Sequence, residues 1–183
     1  VCEPLAAAAA RTDAPEVLRE VASCASTLTR APASNRVPVA RSLLLLPIVT
    51  MARSSDLEVA RQACGALANL AEDTGTHDAI AAARGGTFLI GLLRHDALDV
   101  HREASRCIAN LLSSVRHQAE VIEDGLPGLL ALARSSDAEC RMHASLALRK
   151  IAPNEDSHRR LVSGGAVAAL AALLEAPDFE VRR

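Results

Sequence analysis

An all-α solenoid is the fold class this sequence predicts. Three observations predict it: a period of about 40 residues, one apolar helical stripe per period, and no sustained two-residue alternation. Val59, Val100, Cys140 and Val181 open matching segments at an almost constant interval, and Val17 opens a weaker copy one interval before Val59. The three best copies read VARQACGALANL, VHREASRCIANL and CRMHASLALRKI. A period in this range marks small helical units stacked in a row, each burying its apolar face against its neighbours.

Within each copy the spacing is that of an amphipathic helix. Val59, Ala63, Ala66, Leu67 and Leu70 fall on one face, and Val100, Ala104, Cys107, Ile108 and Leu111 repeat the stripe. Cys140, Ala144, Ala147, Leu148 and Ile151 repeat it again. Small residues in the middle of the stripe let neighbouring helices approach closely. Gly85, Gly125 and Gly165, set one interval apart, precede the apolar runs TFLIGLL, LPGLLALA and AVAALAALL. They read as breaks between a short helix (Asp78–Ala83, Ala119–Glu123, Ser157–Val162) and a longer one. Polar breaks at Arg94–Asp99, Arg134–Glu139 and Ala176–Glu180 then lead into the long amphipathic helix.

Three helices per unit follow. A single solenoid segment is expected over 1–183, with central units 36–73, 74–114 and 115–156 and partial units at 1–35 and 157–183. A two-helix HEAT-type array has a similar period, but the short segment before each glycine argues for a third helix.

The motif Gly-x-x-x-x-Leu-x-x-Leu, a polar turn, then Val-x-x-x-Ala-x-x-x-Leu-x-Asn-Leu resembles the armadillo repeat over essentially the whole chain. The resemblance implies a right-handed α-α superhelix whose third helices line a concave groove. It also implies that an asparagine on each third helix hydrogen-bonds the backbone of an extended peptide. The matching residues are Asn69 and Asn110; Lys150 and Thr27 stand at the aligned positions in the flanking units, so the ladder is incomplete. Nuclear-import adaptors of this family carry tryptophan four residues before the asparagine. Here those positions are Gly65, Arg106 and Leu146, and the chain has no Trp and no Tyr. Aromatic slots for lysine cannot be built, which disfavours recognition of a basic localisation signal.

On the third helices, the residues turned from the apolar stripe are Arg61, Gln62, Gly65 and Asn69, then Arg102, Glu103, Arg106 and Asn110, then Met142, His143, Leu146 and Lys150. Residues three and four apart share a helix face, so these rows align from unit to unit. We expect the partner-binding groove at Arg61, Gln62, Asn69, Arg102, Glu103, Arg106, Asn110, His143 and Lys150. Guanidinium groups suit carboxylates and backbone carbonyls, pointing to a protein or peptide partner of acidic or mixed charge. Solvated surface or interhelix ion pairs would give the same row.

Composition closes off other classes. The formal net charge is −2 with both signs interspersed, and the only aromatics among Phe, Tyr and Trp are Phe88 and Phe179, so a nucleic-acid surface is not expected. Cys2, Cys24, Cys64, Cys107 and Cys140 show no CxxC pairing and read as reduced thiols, which places the chain inside the cell, in the cytoplasm. His77, His95, His101, His117, His143 and His158 form no ligand motif, and the group His95, Asp96, Asp99, His101 straddles a helix start, where aspartate is a capping residue. The glycine pairs lack phosphate-loop context. No metal, cofactor or catalysis is expected. The run SLLLLPIV at Ser42–Val49 is too short to span a bilayer and matches the core run of the other units.

The chain opens at Val1 without methionine and stops just inside a third helix, which reads as a cut from a longer array whose neighbouring repeats cover both ends. Any lipidation signal would then lie outside it. Two functions fit: a module gripping an extended peptide around Asn69, Arg106 and Asn110, or a spacer of a larger scaffold of cytoskeletal, ciliary or vacuole-associated type.

Overall fold

Three α-helix starts in this chain, those of the helices at Leu57, Ala138 and Glu155, carry side-chain caps. In a computed structural model, which describes residues 1–93 and 97–175, Asp56 accepts from the amides of Glu58 and Val59, Asp137 from that of Cys140, and Asn154 from that of Asp156. Each satisfies amides that the first helical turn leaves without partners. Pro15, with its φ already helical, opens the longest helix.

The helices run α1 Cys2–Ala10, α2 Pro15–Arg30, α3 Arg36–Ala40, α4 Leu45–Met51, α5 Leu57–Ala71, α6 His77–Ala82, α7 Gly85–Leu92 and α8 Leu98–Leu111. Then follow α9 Val115–Glu120, α10 Leu126–Leu132, α11 Ala138–Ile151, α12 Glu155–Ser163 and α13 Ala166–Leu174. The described residues contain no strand. Three-helix sets recur as α3–α5, α6–α8 and α9–α11, flanked among the described residues by α1–α2 and α12–α13. The polar breaks at 94–96 and 176–180 and the copy opening at Val181 lie outside the described residues.

The long third helices form the spine. The most extensive helix contacts are α2 with α5, α5 with α8, and α8 with α11. Every stripe residue named from the sequence is buried, from Val59, Ala63, Ala66, Leu67 and Leu70 through to Ile151. Ala63, Ala104 and Ala144 are fully buried at equivalent places, which keeps the third helices close. The second-helix run folds as α4, with Leu44, Leu45, Ile48 and Val49 in the core and Pro47 in its first turn, where a missing amide is tolerated.

Short first helices close the ends of the third helices. Thr76 Oγ donates to the Leu70 carbonyl and His77 Nε2 bonds the Ala71 carbonyl. Gln118 donates to Leu112, Ser157 to Ile151, and His158 bonds the Ala152 carbonyl. Each bond takes up a carbonyl that a helix end would otherwise leave open. Histidine thus serves as a capping residue here. Among the described residues no group of three metal-type ligands comes together, and no helix is long and apolar enough to cross a membrane; His95 and Asp96 lie outside the described residues.

The expected break at Gly125 needs correction. Gly165 does sit in the left-handed region at φ 87, and at the first junction, between α6 and α7, Arg84 and not Gly85 takes that conformation at φ 56. At Gly125 the chain stays helical, widening into a π-turn over Val121–Gly125 that joins α9 to α10. The short helix also begins at Val115 instead of Ala119. Gly85 is still required: a Cβ there would lie 2.6 Å from Ile80 Cγ2 and 3.0 Å from the Ile80 carbonyl.

Candidate functional site

The polar residues of the third helices divide between a cleft and the joints between units. A cleft of about 390 Å³ opens between α2, α5 and α8, lined by Ser26, Arg30, Arg36, Arg61, Gln62, Gly65, Asn69, Glu72, Glu103 and Arg106. Five of the nine residues expected from the sequence meet in it. A Cβ at Gly65 would stand in ordinary contact with the Glu103 carboxylate, at 3.6 Å.

Arg106 organises the cleft. Its guanidinium donates to Glu103 at 2.8 and 3.0 Å, to Glu72 at 3.0 Å, and to the side-chain oxygen of Asn69 at 3.0 Å. Arg36 forms a further ion pair with Glu72. Arg61 turns back onto Glu58 of its own helix, and Gln62 donates to the same carboxylate at 2.9 Å. Arg30, exposed at the end of α2, reaches only the Ser26 hydroxyl, at 3.4 Å. Among the described residues it has no carboxylate partner.

Sequence reading missed Arg30, Arg36, Glu72 and Ser26. A signal existed: Arg30 and Glu72 each follow a ladder position, Thr27 and Asn69, by three residues, one turn along the same face. Arg36 comes from the next helix and had no such signal.

The four other expected residues serve the joints. Arg102 crosses to the next unit and donates to Asp137 at 2.6–3.2 Å. His143 is buried, with Nδ1 3.0 Å from the Ser105 hydroxyl; burial and the nearby Arg106 push its pKa down, favouring the neutral ring. Asn110 donates to the Ala68 carbonyl at 3.3 Å, as Asn69 does to the Ser26 carbonyl at 3.3 Å. Lys150, read from the sequence as a lapse in the ladder, donates to the Ala109 carbonyl at 2.7 Å and to Ser113 Oγ at 2.9 Å. Each of these three side chains bonds the carbonyl one residue before the preceding ladder position. Lys150 therefore takes the asparagine's place, its longer stem reaching the same acceptor. Burial, with Arg149 nearby, holds its pKa below the ordinary lysine value.

The joints carry ion pairs with a defined pH response. The Arg19 guanidinium holds the Asp56 carboxyl below its usual range, and that of Arg102 holds Asp137 far below it. A depressed folded-state pKa stabilises the fold at pH above the unfolded carboxylate value and loses that stabilisation as pH falls through the folded one. The contribution of these pairs is therefore expected to stay level down to about pH 4 and to fall progressively below it, on top of a milder decline from about pH 6.5 as protonation of the buried His143 favours the unfolded chain. The Asp56→Asn/Asp137→Asn variant should show a shallower acid limb by circular dichroism; an unaltered limb would count against these pairs as its source.

The family model described as Armadillo/beta-catenin-like repeat matches residues 35–72. An engineered protein solved by the Northeast Structural Genomics Consortium is similar at 30% identity and TM-score 0.89, over 99% of this chain and 74% of that one. A designed armadillo repeat protein in complex with the peptide (KR)4 is similar at 25% identity and TM-score 0.90, over 99% of this chain and 77% of that one. A computationally designed armadillo repeat protein for modular peptide recognition shares the fold at TM-score 0.92 and 23% identity, over 99% of this chain and 77% of that one. Among curated proteins none matches by sequence.

Proposed function

This chain belongs to the armadillo-repeat family, and from that premise we propose that the cleft between α2, α5 and α8 binds an extended, carboxylate-bearing segment of a partner protein. One observation carries the reading. Four guanidinium groups, those of Arg30, Arg36, Arg61 and Arg106, line the cleft against two carboxylates, Glu72 and Glu103. A planar guanidinium pairs with a carboxylate through two parallel bonds, and partial desolvation strengthens the pair relative to open surface. Gln62 and Asn69 add amide groups suited to a peptide backbone.

Arg102, Asn110, His143 and Lys150 act in this reading as the frame that sets the spacing of the row. No catalysis is assigned to the chain. Five free thiols, three of them buried, suit an intracellular, cytoplasmic setting.

A basic octapeptide such as the (KR)4 bound by the designed relative would meet an excess of like charge here. Fluorescence anisotropy with labelled (Glu-Asp)4 and (Lys-Arg)4 is expected to show the acidic peptide bound at least about tenfold more tightly, an advantage of ~1.4 kcal/mol that shrinks as salt rises. Arg30→Glu should weaken the acidic peptide by a similar factor. Equal binding of the two peptides, or binding of neither, would remove the reading.

A second reading, a spacer segment of a larger scaffold, is favoured by a separate observation. Asn69, Asn110 and Lys150 all spend donors on the neighbouring unit. An Asn110→Ala variant that folds and binds the acidic peptide unchanged would fit either reading at that residue. The charge-reversed Arg30 variant is the one that separates them.

A further inference from the structure

The arginine two residues after each helix-opening valine recurs as Arg19, Arg61 and Arg102, on α2, α5 and α8. The residue that caps the following third helix is Asp56 on α5, Ala97 on α8 and Asp137 on α11. Two of the three arginines reach across the joint to that cap. Arg19 bonds Asp56 through Nε and Nη2, and Arg102 bonds Asp137 through the same two nitrogens. Each capping carboxylate thus holds its own helix's first amides and the preceding unit's guanidinium together.

At the middle joint the pattern fails because the cap is alanine. Ala97 offers α8 no side-chain cap and offers Arg61 no carboxylate. Arg61 folds back onto Glu58, three residues earlier on its own helix, and its side chain stands in the cleft. That pair is exposed on both sides, 37% for Arg61 and 47% for Glu58, whereas the Asp137 side chain in the Arg102 clamp is 11% exposed. Exposed pairs at this spacing are weak and are readily exchanged for another carboxylate. From α8, Asp99 and Glu103 also face Arg61 without bonding it. Arg36 and Arg106 are by contrast committed to Glu72, and Arg106 also to Glu103.

We infer that Ala97, by withholding a capping carboxylate, releases Arg61 from the interunit clamp and makes it, beside Arg30, a specificity-determining cation of the cleft that fastens a partner's carboxylate. The inference rests on the acidic-peptide reading above and names a residue that sets its selectivity. Ala97 is the positioning residue; Arg61 makes the contact.

The test restores the missing clamp. Ala97→Asp is expected to cap α8 and draw Arg61 across the joint, raising the melting temperature by about 2–4 °C and weakening (Glu-Asp)4 binding about fivefold or more. Ala97→Asn supplies the cap without the charge. It should raise stability similarly while leaving affinity within about twofold. A readout independent of the peptide is the titration of Glu58 by NMR. Its carboxyl is held below the ordinary range chiefly by Arg61, and in Ala97→Asp it should return toward that range.

Glu58 still titrating low in Ala97→Asp, or aspartate and asparagine variants with the same affinity, would overturn the inference. Failure of the parent chain to bind (Glu-Asp)4 would overturn the cleft reading instead, and the Glu58 titration would still report on the clamp.

Discussion

A Leu67→Ala variant is expected to unfold roughly 5–15 °C below the parent, a loss of about 3 kcal/mol. Leu67 is fully buried on α5, the helix that contacts both α2 and α8. Its neighbours one turn back on α5, Ala63 and Cys64, are small and fully buried, so they cannot fill the void. The site cannot collapse, so the cavity persists with its cost. In a one-dimensional stack the damage also crosses two interfaces instead of one.

Leu173 offers the contrast. It is buried in α13 but stands among the exposed Val167, Leu170 and Leu174, where side chains can rearrange. Its truncation is expected to cost about 2 kcal/mol or less. Urea denaturation followed by circular dichroism compares the two, and equal losses would refute the two-interface argument.

The second large effect concerns the paired asparagines. Asn69→Leu should destabilise the chain by about 1–3 kcal/mol, and Asn110→Leu by under ~1 kcal/mol. The two look equivalent in sequence and are not equivalent in place. Asn69 is 7% exposed and makes three bonds, donating to the Ser26 carbonyl and Thr29 Oγ and accepting from Arg106. Removing it takes one of two side-chain donors from the Ser26 carbonyl, which keeps the Thr29 hydroxyl, and strips one partner from a partly buried guanidinium. Asn110 is half-buried and makes a single bond, to Ala68. Water can replace what it loses. Chemical denaturation at unchanged m-value is the measurement, and a larger loss at Asn110 would reverse this assignment.

The apolar half of the fold was legible because burial follows the helical period within a single element. Val59, Val100 and Cys140 announce their helices, and each of those helices lies in the spine. The polar half was less so, because the partner of each groove-side residue lies a whole repeat away, on the neighbouring unit. Periodicity tells that such residues align but not which one an arginine reaches.

Arg61 and Arg102 were therefore read as one row, although the cap residue of the following helix sends one across the joint and leaves the other in the cleft. Lys150 was read as a lapse because an ammonium does not resemble an amide, yet its reach and donor count let it take the same carbonyl. Arg30 escaped notice because it stands in the most degraded copy, where the ladder position it follows is a threonine; Arg36 did so because it lies on α3, outside the third-helix row. Gly125 misled in the other direction: a glycine permits a break without compelling one.

The ladder bond made by Lys150 has a consequence for chemistry performed on this protein. It is the chain's single lysine, so reagents directed at side-chain amines meet one target. That amine is engaged with Ala109 and Ser113 at the joint between α8 and α11. Acylating it would remove the charge and the bond together, so modification at this one amine tests what a single ladder bond contributes to that joint.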